Sequence, residues 1–192
     1  KNKLKAVVLF ISLGTTIFVS AYNLSPVFKD RFDYFLHDVE VMINEKDFSN
    51  SFSLRVALWI SGLEASKHNL IFGSGIGDER ENANYILQKF NISNDNFKQE
   101  TENSIDFHNM YVQYIVQLGI VGLIIILLIF YLLFKLDIRD KVYKNLLIIF
   151  LILYFCHSML GNSFHINQSM VLFALFSSIF ITIYKYEKLK SI

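Results

Sequence analysis

An arginine, Arg55, a histidine, His108, and between them a run of alternating glycines, Gly73, Gly75 and Gly77, are the residues of this chain with chemistry to offer. A guanidinium presents a planar fork of donors that fits phosphate oxygens in pairs, and it keeps its charge at any biological pH. An imidazole can take a proton from a hydroxyl near neutral pH. Glycines allow positive φ, or let backbone amides approach an anion closely. Such a set suits a reaction at an anionic group, with arginine steadying negative charge and histidine moving a proton. Each member also has a plainer reading: Arg55 as the ion-pair partner of a nearby acid, His108 as a structural donor, the glycines as a simple turn. Trp59 lies four residues after Arg55 and so on the same helix face. It can cover a sugar ring or lipid head, or merely anchor the chain at a membrane interface.

Other chemistries find little support. The glycine run lacks the Gly-x-Gly-x-x-Gly spacing and the Walker-type lysine of nucleotide sites. The histidines, at 37, 68, 108, 157 and 165, include no pair with the close spacing of a zinc motif and no His-Glu-x-x-His. No cofactor, metal or nucleic-acid partner is therefore expected. The single cysteine, Cys156, sits in an apolar stretch, so no disulfide framework exists within the chain.

The elements that must position these residues are largely hydrophobic. The chain is 53% hydrophobic and 16% aromatic, above an ordinary soluble domain. Four apolar stretches, about 6–22, 110–134, 146–160 and 168–184, contain almost no charge and read as transmembrane helices. The third is short and must recruit flanking residues or sit in a thinned bilayer. The expected fold is all-α, a polytopic single membrane domain of about four transmembrane helices with one large loop, residues 23–108. Lys1, Lys3 and Lys5, the basic linker 135–145 and Lys185, Lys188 and Lys190 fall on one side, which the positive-inside rule assigns to the cytoplasm. The long loop, with eight basic and fourteen acidic residues and a formal charge of −6, then faces outward. The first stretch also reads as a signal peptide ending near Val19-Ser20-Ala21; either way the loop is outside.

Within the loop, Phe28, Phe32, Phe35, Leu36, Val39 and Ile43 recur at helical spacing after Pro26, predicting an amphipathic helix. The polar segment 44–51 breaks that pattern. A second helix is expected from Ser51 or Ser53, either of which can cap it, to about Ser66. A third short helix is expected over 79–90, then a polar surface segment over 91–105. The turn at 158–168, with Ser158, Asn162, Ser163, His165, Asn167 and Gln168, is too polar to face lipid and should line a cavity or pack against protein.

Arg55 with Trp59, the run Asn69-Leu70-Ile71-Phe72-Gly73-Ser74-Gly75-Ile76-Gly77, the block His108-Asn109-Met110-Tyr111 and Gly119-Ile120-Val121-Gly122 follow one another in that order. Over roughly residues 51–134 this ordered set resembles the O-antigen ligase and polymerase family. The resemblance implies a bacterial inner-membrane, metal-independent C-type glycosyltransferase. It implies an undecaprenyl-pyrophosphate-linked glycan donor, an acceptor that is lipid A-core or another glycan, and membrane lipid as surroundings. It also implies pyrophosphate contact by Arg55 and base catalysis by His108. Trp59, Gly73, Gly75, Gly77, Arg80, Asn109 and Tyr111 become candidate substrate-binding residues, Arg80 standing in for basic residues the family takes from earlier helices. The proline usual before the glycine segment is Leu70 here. Family members have about twice this length, so the chain is expected to be a C-terminal half.

The competing expectation is a non-enzymatic flippase or transporter subunit that binds lipid-linked glycans with the same groups. The four apolar stretches hold no lysine, arginine, aspartate or glutamate, which argues against ion-coupled transport by this part. A receptor with a sensory loop is a third class, but it gives Arg55 and His108 no joint role.

Overall fold

The computed structural model describes residues 2–77, 106–164 and 166–190. All secondary structure among them is helical: α1 (Asn2–Leu24), α2 (Pro26–Asn44), α3 (Ser51–Ser66), a 3₁₀ turn (Lys67–Asn69), α4 (Met110–Phe134), α5 (Lys141–Leu160) and α6 (Asn167–Leu189). Four of them, α1, α4, α5 and α6, are long and apolar enough to cross a membrane. The chain divides into two compact units, residues 1–54 and 55–192.

In the first unit, α1 keeps its few polar side chains bonded to its own backbone. Ser12, Thr15 and Thr16 donate to the carbonyls of Leu9, Ile11 and Ser12 at 2.8–3.0 Å, which pairs these three hydroxyls on an apolar surface. The chain turns at Ser25, whose hydroxyl accepts from the Phe28 amide, and Pro26 starts α2 where its missing N–H is harmless. The predicted amphipathic helix is thus present, and its aromatic face packs on α1. Phe18 meets Phe28 and Phe32 edge to face, and the Tyr22 hydroxyl donates to Asp33 at 2.8 Å.

In the second unit, α4, α5 and α6 share one core of Met110, Ile126, Phe130, Leu133, Ile138, Leu147, Leu151, Phe173 and Phe180. Phe150 and Phe173 stack at 5.5 Å in its middle. Outside this core most large apolar side chains of the three helices are exposed, the pattern of helices that meet lipid rather than water.

Several expected boundaries shift, each for a local reason. The start of α3 is capped by Asn50, whose carboxamide accepts from Phe52 and Ser53, in place of Ser51 or Ser53; asparagine is an equally good cap one residue earlier. Helix α5 does recruit flanking residues and begins at Lys141 rather than about 146, because Asp140 caps it through Val142 and Tyr143. The linker before it is pinned from α6, where Glu187 accepts from the Arg139 and Asp140 amides. Lys144 reaches back to the Phe134 and Leu136 carbonyls at 2.9 and 2.7 Å, closing the end of α4. Helices α1 and α6 run longer than the apolar stretches that announce them, to Asn2–Leu24 and Asn167–Leu189. The helix expected over 79–90 and the segment 91–105 lie outside the described residues.

Candidate functional site

Helix α3 carries Arg55 and Trp59 and presents a second, buried face of small residues. Ala57, Ser61 and Ala65 are buried there, as is Leu58, and the Ser61 hydroxyl bonds back to the Ala57 carbonyl. A Cβ on Gly62 would stand 2.8 Å from both the Phe107 ring and Val112, so the small face is what lets α3 approach the start of α4 closely. The signal for this contact is small residues four apart, which sequence reasoning passed over.

At that start the chain is held from several directions. Phe107 is fully buried. Its amide donates to the Gln113 carboxamide at 3.2 Å and its carbonyl accepts the Trp59 indole N–H at 2.8 Å. Asn109 caps α4, accepting from the Tyr111 and Val112 amides at 3.0 and 3.1 Å, and its own N–H donates to the Met159 carbonyl on α5 at 3.1 Å. Tyr111 donates to the Phe155 carbonyl at 3.1 Å. Between these anchors His108 sits at φ +48°, in the left-handed region, with its amide donating to Asp106 at 2.8 Å. A non-glycine residue there costs about 1–2 kcal/mol, a strain that persists only when the surroundings over-determine it and that concentrates at functional sites. The His108 side chain is half-buried.

Arg55 is exposed and makes no ion pair among the described residues, where Lys67 with Glu64 is the one such pair. It lies one turn along α3 from Trp59, and Trp59 holds the residue before His108. The arrangement therefore places a cation and an imidazole-bearing turn on neighbouring, mutually tethered elements.

The glycine run does something else. Helix α4 breaks at Gly119, where φ is +68° and ψ −164°. Across the break the turn after α3 pairs with α4 main chain to main chain. Ser74 N–H donates to the Val116 carbonyl at 2.8 Å and Gly75 N–H to Gln117 at 3.0 Å, while Ile120 and Val121 N–H donate to Leu70 and Ile71 at 2.8 and 3.2 Å. In an unbroken helix residues 116 and 117 would bond residues 120 and 121; the turn replaces each of those bonds. The Ser74 hydroxyl adds a bond to the Val116 carbonyl at 3.0 Å. A Cβ on Gly73 would lie 2.3 Å from the Gln117 backbone, and one on Gly119 2.3 Å from the Ile71 carbonyl. Both positions also have positive φ, so glycine is required on two grounds. The amides of Gly73 and Gly75 are spent on the Asn69 and Gln117 carbonyls. Gly77 also has positive φ, at +103°. Arg80 lies outside the described residues. Ser74 and Gln113 were not singled out from the sequence; a glutamine inside an apolar helix is the available signal for the second.

On the other side of Asn109, the 158–168 turn buries Ser158, Asn162 and Ser163, whereas Asn167 and Gln168, at the start of α6, are exposed and His165 lies outside the described residues. Ser158 donates to Ser163 at 3.0 Å, and the Ser163 hydroxyl pairs with His157 Nδ1 at 2.7 Å. Among the described residues no three of His, Cys, Asp and Glu come together as a metal-binding group.

A family model described as O-antigen ligase matches residues 1–127, a stretch that takes in Arg55, Trp59, the glycine run, His108 and Gly119. No curated protein matches the chain.

Proposed function

The chain belongs to the O-antigen ligase family, and on that premise we propose that it transfers or polymerises glycan units from a lipid pyrophosphate carrier of the undecaprenyl type, with His108 as base and Arg55 as the pyrophosphate-binding cation. The observation that carries the reading is the Trp59-to-Phe107 hydrogen bond of 2.8 Å, which ties the Arg55 helix to the left-handed turn bearing His108. In the reaction His108 takes the proton of the acceptor hydroxyl, and that oxygen attacks the anomeric carbon of the donor sugar with inversion. The bond from the anomeric carbon to the pyrophosphate oxygen breaks, and Arg55 stabilises the negative charge gathering on the leaving pyrophosphate. Such electrostatic help is commonly the largest contribution in steps of this kind. The lipid pyrophosphate is already activated, so the scheme uses neither a nucleotide nor a metal ion. The acceptor is another glycan or lipid A-core, and the site faces the outer side of the bacterial cytoplasmic membrane.

The transporter reading fares less well against the geometry. A helix broken within a membrane span is a feature of ion and substrate sites in transporters, but at Gly119 the displaced main-chain groups are bonded to the 70–75 turn, so they are occupied without a cargo.

The test is the full-length protein, reconstituted with lipid-linked donor in excess chelator. His108→Ala should lower turnover by about 10²–10⁴-fold, the usual share of a general base, and leave its thermal unfolding in detergent unchanged. Turnover equal to the parent protein would remove His108 from the chemistry. Loss of parent activity on adding chelator, restored by one divalent ion, would overturn the metal-free scheme.

A further inference from the structure

We propose that the turn Leu70–Gly77 is not an aqueous loop but a re-entrant wedge in the bilayer, with Ile71, Phe72 and Ile76 facing lipid acyl chains. Three independent observations meet here. The first is exposure: Ile71, Phe72 and Ile76 are 61%, 75% and 78% exposed, and Leu70 44%. The sequence from Leu70 to Gly77 carries no charge, although Lys67, His68 and Asn69 precede it and Asp78 follows. A water-facing turn rarely shows four large apolar side chains in seven residues with its only polar side chain, Ser74, turned inward onto a carbonyl.

The second is depth. The turn is paired in register with residues 116–121 of α4, a helix whose apolar span runs from Met110 to Phe134. Counting back from Phe134, about 30 Å of hydrocarbon at about 1.5 Å per residue reaches roughly residue 115. Gly119 then lies about 6 Å inside the boundary, and the turn bonded across it lies at the same level. The exposed side chains of the turn also continue an exposed apolar face of α4 made by Ile120, Val121, Ile124 and Ile125. That continuity with a membrane-spanning face is the reason to assign acyl chains as the occupant.

The third is the backbone. Irregular main chain enters a bilayer only where its polar groups are satisfied. Here five main-chain groups of the turn are satisfied: the amides of Gly73, Ser74 and Gly75 donate to carbonyls, and the carbonyls of Leu70 and Ile71 accept. The glycines thus serve a membrane purpose: they permit the close main-chain pairing that makes an irregular turn tolerable at this level. The inference does not depend on the catalytic reading.

It is tested by site-directed spin labelling of the full-length protein in Cys156→Ser background, reconstituted in vesicles of phosphatidylethanolamine and phosphatidylglycerol. Labels at Phe72→Cys and Ile76→Cys should collide readily with oxygen, which concentrates in lipid, and poorly with a water-soluble nickel chelate. A label at Asp47→Cys, in the charged connection between α2 and α3, should show the reverse. Ready collision with nickel at 72 and 76 would overturn the proposal in favour of a water-facing loop. Poor collision with both reagents would overturn it in favour of a surface covered by protein. Because all three positions are exposed, the labelled variants should unfold at the parent temperature.

Discussion

Two fastenings join α3 and its following turn to α4, and they are made of different materials. At Gly119 four main-chain hydrogen bonds replace the interrupted helix bonds, and the only demand on side chains is that Gly73 and Gly119 have none. At the start of α4 a single side chain, Trp59, reaches one carbonyl, and the residues around it, Arg55 and His108, remain exposed or half-buried. Main-chain pairing is rigid and indifferent to chemistry. Side-chain fastening orders the backbone next to His108 while leaving polar groups at the surface free to differ. The first fastening sets the frame, and the second aims the residues that would meet a substrate.

Substitutions that act on one fastening alone can break this contrast. Gly119→Ala has the largest expected effect, because its Cβ meets the Ile71 carbonyl at 2.3 Å and its φ is positive. Overpacking and left-handed strain together should cost about 3 kcal/mol or more, seen as a large fall in unfolding temperature in detergent. Gly14→Ala, in the middle of α1 with nothing within 4 Å of the new Cβ, should be neutral or stabilise by about 0.5–1 kcal/mol. Similar unfolding temperatures for the two variants would mean that the break in α4 is not a rigid frame.

Arg55→Lys should leave the unfolding temperature at the parent value and still reduce turnover by about 10²-fold, the scale of losing one stabilising donor at a developing anion. Lysine keeps the charge but not the planar fork. Near-normal turnover in the lysine variant would assign Arg55 a diffuse electrostatic role.

The smallest effect on turnover is expected from Trp59→Phe, which keeps an aromatic ring and deletes one N–H. Loss of one hydrogen bond, about 1 kcal/mol, should lower kcat about fivefold with the donor KM unchanged. A raised KM at unchanged kcat would instead make Trp59 a ring that covers the sugar or lipid head, and would reduce the contrast between the two fastenings to one of strength.

Much of this was readable before folding. The α4 span was predicted over 110–134 and is Met110–Phe134, because twenty-five uncharged, mostly apolar residues between a capping asparagine and a lysine leave little freedom. The helix bearing Arg55 was legible from its position after a polar break. The meaning of the glycine run was not. A glycine inside an apolar helix, such as Gly119, looks the same in sequence as Gly14, yet one breaks its helix and the other does not. The difference lies in a partner segment far away in the chain, the 70–75 turn, and periodicity carries no trace of that pairing. The double role of Trp59 was hidden for a related reason: an indole N–H declares that it needs an acceptor but not which one.

Hydropathy and residue order alone were enough to establish the helical class, the four long apolar helices, the amphipathic α2 and the candidates Arg55 and His108, because these depend on local periodicity and on side-chain chemistry that each residue carries with it. Tertiary structure decided that the alternating glycines pair with a broken helix, that Asn109 joins α4 to α5, and that His108 is held in a left-handed turn behind Trp59. Those outcomes rest on hydrogen bonds and steric exclusion between residues remote in sequence, and such terms exist only once the chain has brought them together.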